Sequence, residues 1–187
     1  PGRGANYIAG LPGHRGAFPM TKPILPDAEQ LLTQLAAQMR PHVTAQTGLI
    51  GIVTGGAWLA ERLHRELKLE VPYGSLDVSF YRDDFQRKGL KHEVAPSDIP
   101  FEVEGRDLIL VDDVLYTGRT IRAAMNELFD YGRPQRIRLA ALVDRGGREL
   151  PIAAQFVGAT LEVAAHYSID LEQAEGGKLV LVQQKKN

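Results

Sequence analysis

Four consecutive apolar residues, Leu108-Ile-Leu-Val111, run straight into two aspartates, Asp112 and Asp113. Val114-Leu-Tyr-Thr-Gly-Arg-Thr120 follows, and an amphipathic stretch carries Ile121, Ala124, Met125 and Leu128 at helical spacing. An uninterrupted apolar run of this length, with no polar alternation, fits a strand buried on both faces. Such strands belong to parallel sheets covered by helices on either side. The strand is predicted over 107–111, the turn at Thr117-Gly118, and the helix over 119–129, with Gly132 and Pro134 as its stop.

The rest of the chain repeats the alternation. Asp27 opens a helix with Gln30 at capping-box spacing, and Leu31, Leu32, Leu35, Ala36 and Met39 recur at its period until Pro41. Gly48–Val53 is a short apolar strand, Thr54-Gly-Gly56 a turn, and 57–68 a helix. A strand is expected at 75–81, another at 137–143, and weaker ones at 155–158 and 178–183. Between them, 81–100 is polar and aperiodic, the length at which loops are functional. The expected body is therefore one α/β domain over 27–187, a mainly parallel sheet flanked by helices. Ligands of such sheets bind beyond the carboxyl ends of the strands. That rim collects Thr54–Gly56, Asp112–Thr120 and the Asp144–Arg148 turn.

Residues 1–26 hold five Gly, five Pro, three basic residues and no acid. A stretch of that composition buries too little apolar surface to offset its ordering entropy. It is expected to be a disordered tail or an added extension, with Met20 as the natural start.

Composition narrows the chemistry. Across 187 residues, 22 Lys and Arg against 23 Asp and Glu leave a net charge of −1, so any nucleic-acid surface must be a local patch. There is no Cys, which excludes disulfides, thiolate metal sites and cysteine nucleophiles and fits a reducing, cytoplasmic setting. No apolar run approaches the roughly 18 residues of a membrane span, so no membrane partner is expected. The five His are scattered, without metal-ligand spacing.

At the rim, the turn into the 119–129 helix offers backbone N–H groups with positive potential, Thr117 and Thr120 hydroxyls, and Gly118 for close backbone approach. These are phosphate-binding features. Two acids beside them would repel a bare phosphate, but suit sugar hydroxyls or a divalent cation. The residues thus suit a sugar phosphate with Mg2+. The plainer alternative is that the acids only complement a helix N-terminus and Thr-Gly is an ordinary turn. Neither the nucleoside-triphosphate P-loop spacing nor the dinucleotide glycine fingerprint is present.

Leu108–Thr120 resembles the phosphoribosyl pyrophosphate (PRPP) loop of type I phosphoribosyltransferases. Its Leu-Tyr-Thr-Gly-Arg-Thr form is similar to that of the PyrR family, pyrimidine operon regulators with uracil phosphoribosyltransferase activity. Asp77-Val-Ser-Phe-Tyr-Arg-Asp-Asp84 and Leu142-Val-Asp-Arg-Gly-Gly-Arg-Glu-Leu-Pro151 agree with that resemblance, which runs from Asp27 onward.

The resemblance implies the type I phosphoribosyltransferase fold, with a flexible active-site loop and a small C-terminal hood from about Leu161. It implies that Asp112 and Asp113 hold the ribose hydroxyls of PRPP and act in catalysis. Tyr116, Thr117, Gly118, Arg119 and Thr120 would bind the 5-phosphate. Thr54, Gly55, Gly56 and Arg82 would bind pyrophosphate, with Tyr81 and Arg82 opening the flexible loop, and Asp144 and Arg145 would meet uracil. Mg2+ would arrive with PRPP near Asp112 and Asp113, with no direct protein ligand assigned. The implied reaction is uracil plus PRPP giving UMP and pyrophosphate, in a homo-oligomer. Purine enzymes of the superfamily place an acid where this chain has Tyr116, so no general base is assigned.

Two departures from the family pattern are visible. Basic residues usual around the pyrophosphate turn are replaced by Val53-Thr-Gly-Gly56, and the first helix, where the family's RNA-binding surface partly lies, has no Lys or Arg. Arg133, Arg136, Arg138, Arg145 and Arg148 remain for a weak messenger-RNA surface. The alternatives to the transferase are a catalytically weak UMP- and PRPP-sensing attenuation regulator that binds RNA, and a transferase for a purine or orotate.

Overall fold

Five parallel strands in the order β2-β1-β3-β4-β5 make the sheet around which the chain is built. The computed structural model describes residues 25–78 and 96–186. In chain order, the main elements among these are α1 (Ala28–Met39), β1 (Gly48–Ile52), α2 (Gly55–Leu67), β2 (Gly74–Leu76), β3 (Asp107–Leu115), α3 (Arg119–Leu128), β4 (Arg136–Asp144), β5 (Phe156–Thr160), β6 (Tyr167–Gln173) and β7 (Leu179–Lys185). Residues 1–24, 79–95 and 187 lie outside the described residues, and with them most of the expected tail and of the expected 81–100 loop.

Strand alternation sorts the core into two layers. Leu49, Ile109, Val111, Ala140 and Leu142 face α1, α2 and the inner side of a β6–β7 hairpin. Ile50, Ile52, Leu108, Leu110, Leu139 and Ala141 face α3. Both faces of β1 and β3 are therefore covered, which is why these strands read as continuous apolar runs. β1 leads through α2 to β2 on one side, while β3 pairs with β1 on the other. The chain's direction across the sheet reverses there, and a crevice opens between the carboxyl ends of β1 and β3.

Several boundaries differ from the sequence expectation. β3 does not stop at Val111 but carries both aspartates and runs on to Leu115, pairing with β4 up to Leu115↔Asp144. α2 begins at Gly55, two residues earlier than expected, so Gly55 and Gly56 are its first turn rather than a free turn. β6 was not expected: only Ile169 and Leu171 point inward, too sparse an alternation to read alone. No described helix is long and apolar enough to cross a membrane.

α1 is fastened at its start. The Asp27 carboxylate caps it by accepting from the Glu29 and Gln30 N–H groups. The Glu29 carboxylate accepts from the Leu179 N–H at 2.8 Å and pairs with Arg62 at 2.5 Å, joining α1, β7 and α2. Burial alone would raise its pKa, but the Leu179 N–H and the Arg62 guanidinium outweigh burial and hold it below the ordinary glutamate value. A lowered folded-state pKa adds stability above the unfolded value, and that stability is lost as pH falls through the folded one. Glu29→Gln is therefore expected to cost about 1–2 kcal/mol at pH 7. In urea melts, the gap from the parent protein should narrow as pH drops below 4.5, the ordinary value for this group.

Candidate functional site

Two helix N-termini and two buried acids meet at the crevice. Asp112 and Asp113 are among the few buried charged side chains of the described chain. Val111 belongs to the α1/α2 face and Leu110 to the α3 face. Alternation therefore places Asp113 at the register of the α2 side and Asp112 at that of the α3 side.

Asp113 meets α2 directly. A Cβ built on Gly55 would lie 2.4 Å from Asp113 Oδ2 and 2.9 Å from its Cβ, so the carboxylate rests against the Gly55 backbone in the helix's first turn. Asp113 Oδ1 accepts from the Val114 N–H at 3.0 Å. Thr54 is the N-cap of α2, makes no side-chain capping bond, and follows a cis Val53–Thr54 peptide. The first turn of α2 carries no acid, leaving Asp113 as the carboxylate seated against it. Trp58, one turn into α2, is partly buried and packs against the core.

The loop between β3 and α3 is built as a second N–H cradle. Gly118 caps α3 at φ 92°, a conformation open to glycine at little cost. Thr117 is buried, and its Oγ1 accepts from the Arg119 N–H at 3.3 Å. Its carbonyl accepts from the Glu149 and Leu150 N–H groups at 3.0 and 3.1 Å, so the segment after β4 straps the loop from outside. No acid lies in the first turn of α3. The Arg119 guanidinium pairs with Glu149 at 2.7 Å on the surface. Thr120 lies in the first turn, half-buried.

The third rim segment behaves differently from its sequence expectation. Asp144 closes β4, but its carboxylate accepts from the Gly146 N–H at 2.9 Å and pairs with Arg148. Arg148 also donates to the Tyr116 carbonyl, to the Leu115 carbonyl at 3.3 Å and to the Ile152 carbonyl at 3.0 Å. Arg145 is only 6% exposed. Its Nη2 donates to the Tyr167 carbonyl at 2.9 Å, its guanidinium lies 4.2 Å from the Tyr116 ring centre, and its buried Nε has no partner among the described residues. Burial lowers its pKa, against Tyr116 and Asp170, which raise it.

Arg145 and Arg148 are thus engaged inside the fold rather than spread on a surface. Arg133 and Arg136 are exposed near the opposite, N-terminal end of β4, and Arg138 there donates to the His42 carbonyl. The five arginines weighed for RNA do not share one face. Arg82 lies outside the described residues.

Among the sequence-expected site residues, the fold gathers Thr54, Gly55, Gly56, Asp112, Asp113 and Tyr116–Thr120 around one crevice. Arg145 borders it through the Tyr116 ring, and Asp144 does so only by way of Arg148, which donates to the Tyr116 carbonyl. Sequence reasoning missed the strap at 149–150, Arg148 as a rivet, and Lys186, whose Nζ lies 4.9 Å from the Tyr116 ring centre. The strap and Arg148 act through backbone carbonyls, which leave no residue-type signature. Among the described residues, no group of three or more His, Asp or Glu could hold a metal ion by itself.

A model of the phosphoribosyl transferase domain family matches residues 24–172. The chain is 52% identical over 151 residues to a protein of Pseudomonas entomophila named Bifunctional protein PyrR, covering 79% of this chain and 88% of that one. The same name goes with a Pseudomonas putida protein 53% identical over 152 residues, again 79% and 88% covered. Among solved structures, a hypoxanthine-guanine phosphoribosyltransferase of Bacillus anthracis superposes with a TM-score of 0.60 at 24% identity, covering 75% of this chain and 85% of that one. The enzyme of Leishmania tarentolae in complex with GMP gives 0.58 at 20% identity, covering 79% and 85%. At these identities the two structures speak for the fold.

Proposed function

The chain belongs to the phosphoribosyl transferase domain family and, within it, to the PyrR proteins, and from that premise we propose that it joins uracil to the phosphoribosyl group of PRPP, releasing UMP and pyrophosphate. The observation that carries this reading is the crevice itself. Asp112 and Asp113, adjacent in β3 and both buried, lie between two acid-free helix starts on α2 and α3. A ligand with hydroxyls in its middle and a phosphate at each end matches that order of groups.

In this reading the α3 N–H groups, with Thr117 and Thr120, hold the 5-phosphate. Asp112 and Asp113 accept from the ribose hydroxyls and favour positive charge developing on the sugar. The first turn of α2, with Thr54, Gly55 and Gly56, offers the pyrophosphate its backbone N–H groups. Arg82 is kept as a pyrophosphate contact on the resemblance. The bond from C1 of the sugar to pyrophosphate oxygen breaks as uracil nitrogen bonds to that carbon, and the nitrogen's proton is released.

Two carboxylates are hard oxygen donors suited to Mg2+, and with no larger acidic group among the described residues, substrate oxygens would complete its shell. Bound there, Mg2+ would neutralise charge on the leaving pyrophosphate. Asp144 is best assigned to orienting the 145–148 turn beside the base rather than to the base itself, because Gly146 and Arg148 already engage its carboxylate.

RNA binding is a second activity that the resemblance to pyrimidine operon regulators implies, and the relatives' name, Bifunctional protein PyrR, fits two activities. From the described arginines its surface would draw on Arg133 and Arg136. Assembly into a homo-oligomer and a cytoplasmic setting complete the proposal, the latter supported by the absence of Cys.

A panel of bases incubated with PRPP and Mg2+ tests the substrate. Uracil is expected to give nucleotide at least 100-fold faster than hypoxanthine, guanine or orotate. Faster turnover of any of those would replace uracil in this reading.

A further inference from the structure

The Tyr116 ring is held by groups of its own chain. Two cations lie over its ring, Arg145 at 4.2 Å and Lys186 at 4.9 Å. Gly147 closes its edge: at φ 70°, a Cβ there would come within 2.4 Å of Tyr116 Cε2. The two cations come from different places. Arg145 follows β4 and holds the Tyr167 carbonyl at the start of β6. Lys186 follows β7, with its backbone N–H on the His166 carbonyl at 2.7 Å. Both ends of the β6–β7 hairpin therefore converge on one ring, whose own backbone begins the loop strapped at Thr117.

We propose that Lys186 is a positioning residue, which with Arg145 grips the Tyr116 ring and couples the β6–β7 hairpin to the loop that receives the 5-phosphate. The coupling rests on the transferase reading above, since that reading gives the loop its ligand. A cation over an aromatic face gains more when water is excluded, and Arg145 is almost fully buried there. Lys186 is half-buried and adds the adjustable part of the grip. Motion of the hairpin is thereby passed to residues 116–120 without any contact between hairpin and phosphate.

Lys186→Ala removes the cation at a half-buried position and leaves the core untouched, and Lys186→Arg keeps a cation over the ring. In the ligand-free protein, amide hydrogen exchange at 116–120 and 145–150 is expected to quicken about threefold in Lys186→Ala and to return toward the parent rate in Lys186→Arg. Exchange in α1 serves as the reference and should not change. In the transferase assay, KM for PRPP should rise about threefold in Lys186→Ala with kcat within twofold, and Lys186→Arg should again reverse it. Unchanged exchange at 116–120 in Lys186→Ala overturns the coupling. Altered exchange in a protein whose parent form makes no UMP upholds the grip and overturns the transferase reading on which its function rests.

Discussion

Asp113→Asn is expected to lower kcat/KM for UMP formation by about 100-fold or more while leaving the fold in place. Asn has nearly the same shape, and its Oδ1 can still accept from the Val114 N–H that Asp113 engages at 3.0 Å. What disappears is a negative charge held in a buried site against the start of α2. A charge aimed at where positive charge develops on a reacting sugar contributes about 3–4 kcal/mol to the barrier, which is the loss predicted. Removing a buried charge does not leave a buried ion unpaired, so the melting temperature should move by no more than about 2 °C. Steady-state kinetics and a thermal melt on the same preparation check both halves. An unchanged rate would remove Asp113 from the proposed chemistry.

Gly55→Ala probes the same carboxylate from the other side. The added methyl would fall 2.4 Å from Asp113 Oδ2, 2.7 Å from its Cγ and 2.9 Å from its Cβ, so side chain or helix must move. Alanine gains about 1 kcal/mol of helix propensity over glycine at an ordinary helical position. That gain offsets part of the strain, and the net loss of stability is expected to be about 1–2 kcal/mol. Activity should suffer more, by roughly tenfold to 100-fold, because a misplacement on the order of 1 Å at a reacting group costs about that much. Paired measurement of urea stability and kcat/KM separates the two effects. Activity falling only in proportion to the unfolded fraction would mean that the Gly55–Asp113 contact is structural alone.

Sheet class and the crevice were legible in the sequence because two-sided burial leaves continuous apolar runs. Leu108–Val111 and Gly48–Val53 could be read as parallel strands, and the polar segments after them fell on one rim of the sheet by topology. The turn at Thr117-Gly118 was legible for a similar reason: few residue types enter a helix at the positive φ that Gly118 adopts. The Asp144–Arg148 turn was harder. A string of Asp, Arg, Gly and Arg looks the same whether the arginines meet a base, RNA or carbonyls of their own chain. Arg145 and Arg148 turned inward because Tyr116, Asp144 and a set of backbone oxygens lie within their reach, and that reach depends on tertiary distances. The β6 strand escaped for lack of signal, with two inward residues on a hairpin that meets the core on one side only. Extension of β3 through both aspartates was hidden by their polarity, since a buried acid at a site is written with the same letter as one on a loop.

The most direct test of the central claim is UMP formation from uracil and PRPP with Mg2+, run with and without EDTA. The account predicts robust turnover that stops when EDTA removes Mg2+ and returns when the metal is restored. Absence of UMP in Mg2+, with UMP itself still bound by the protein, would contradict the transferase assignment and leave a nucleotide sensor in the same crevice.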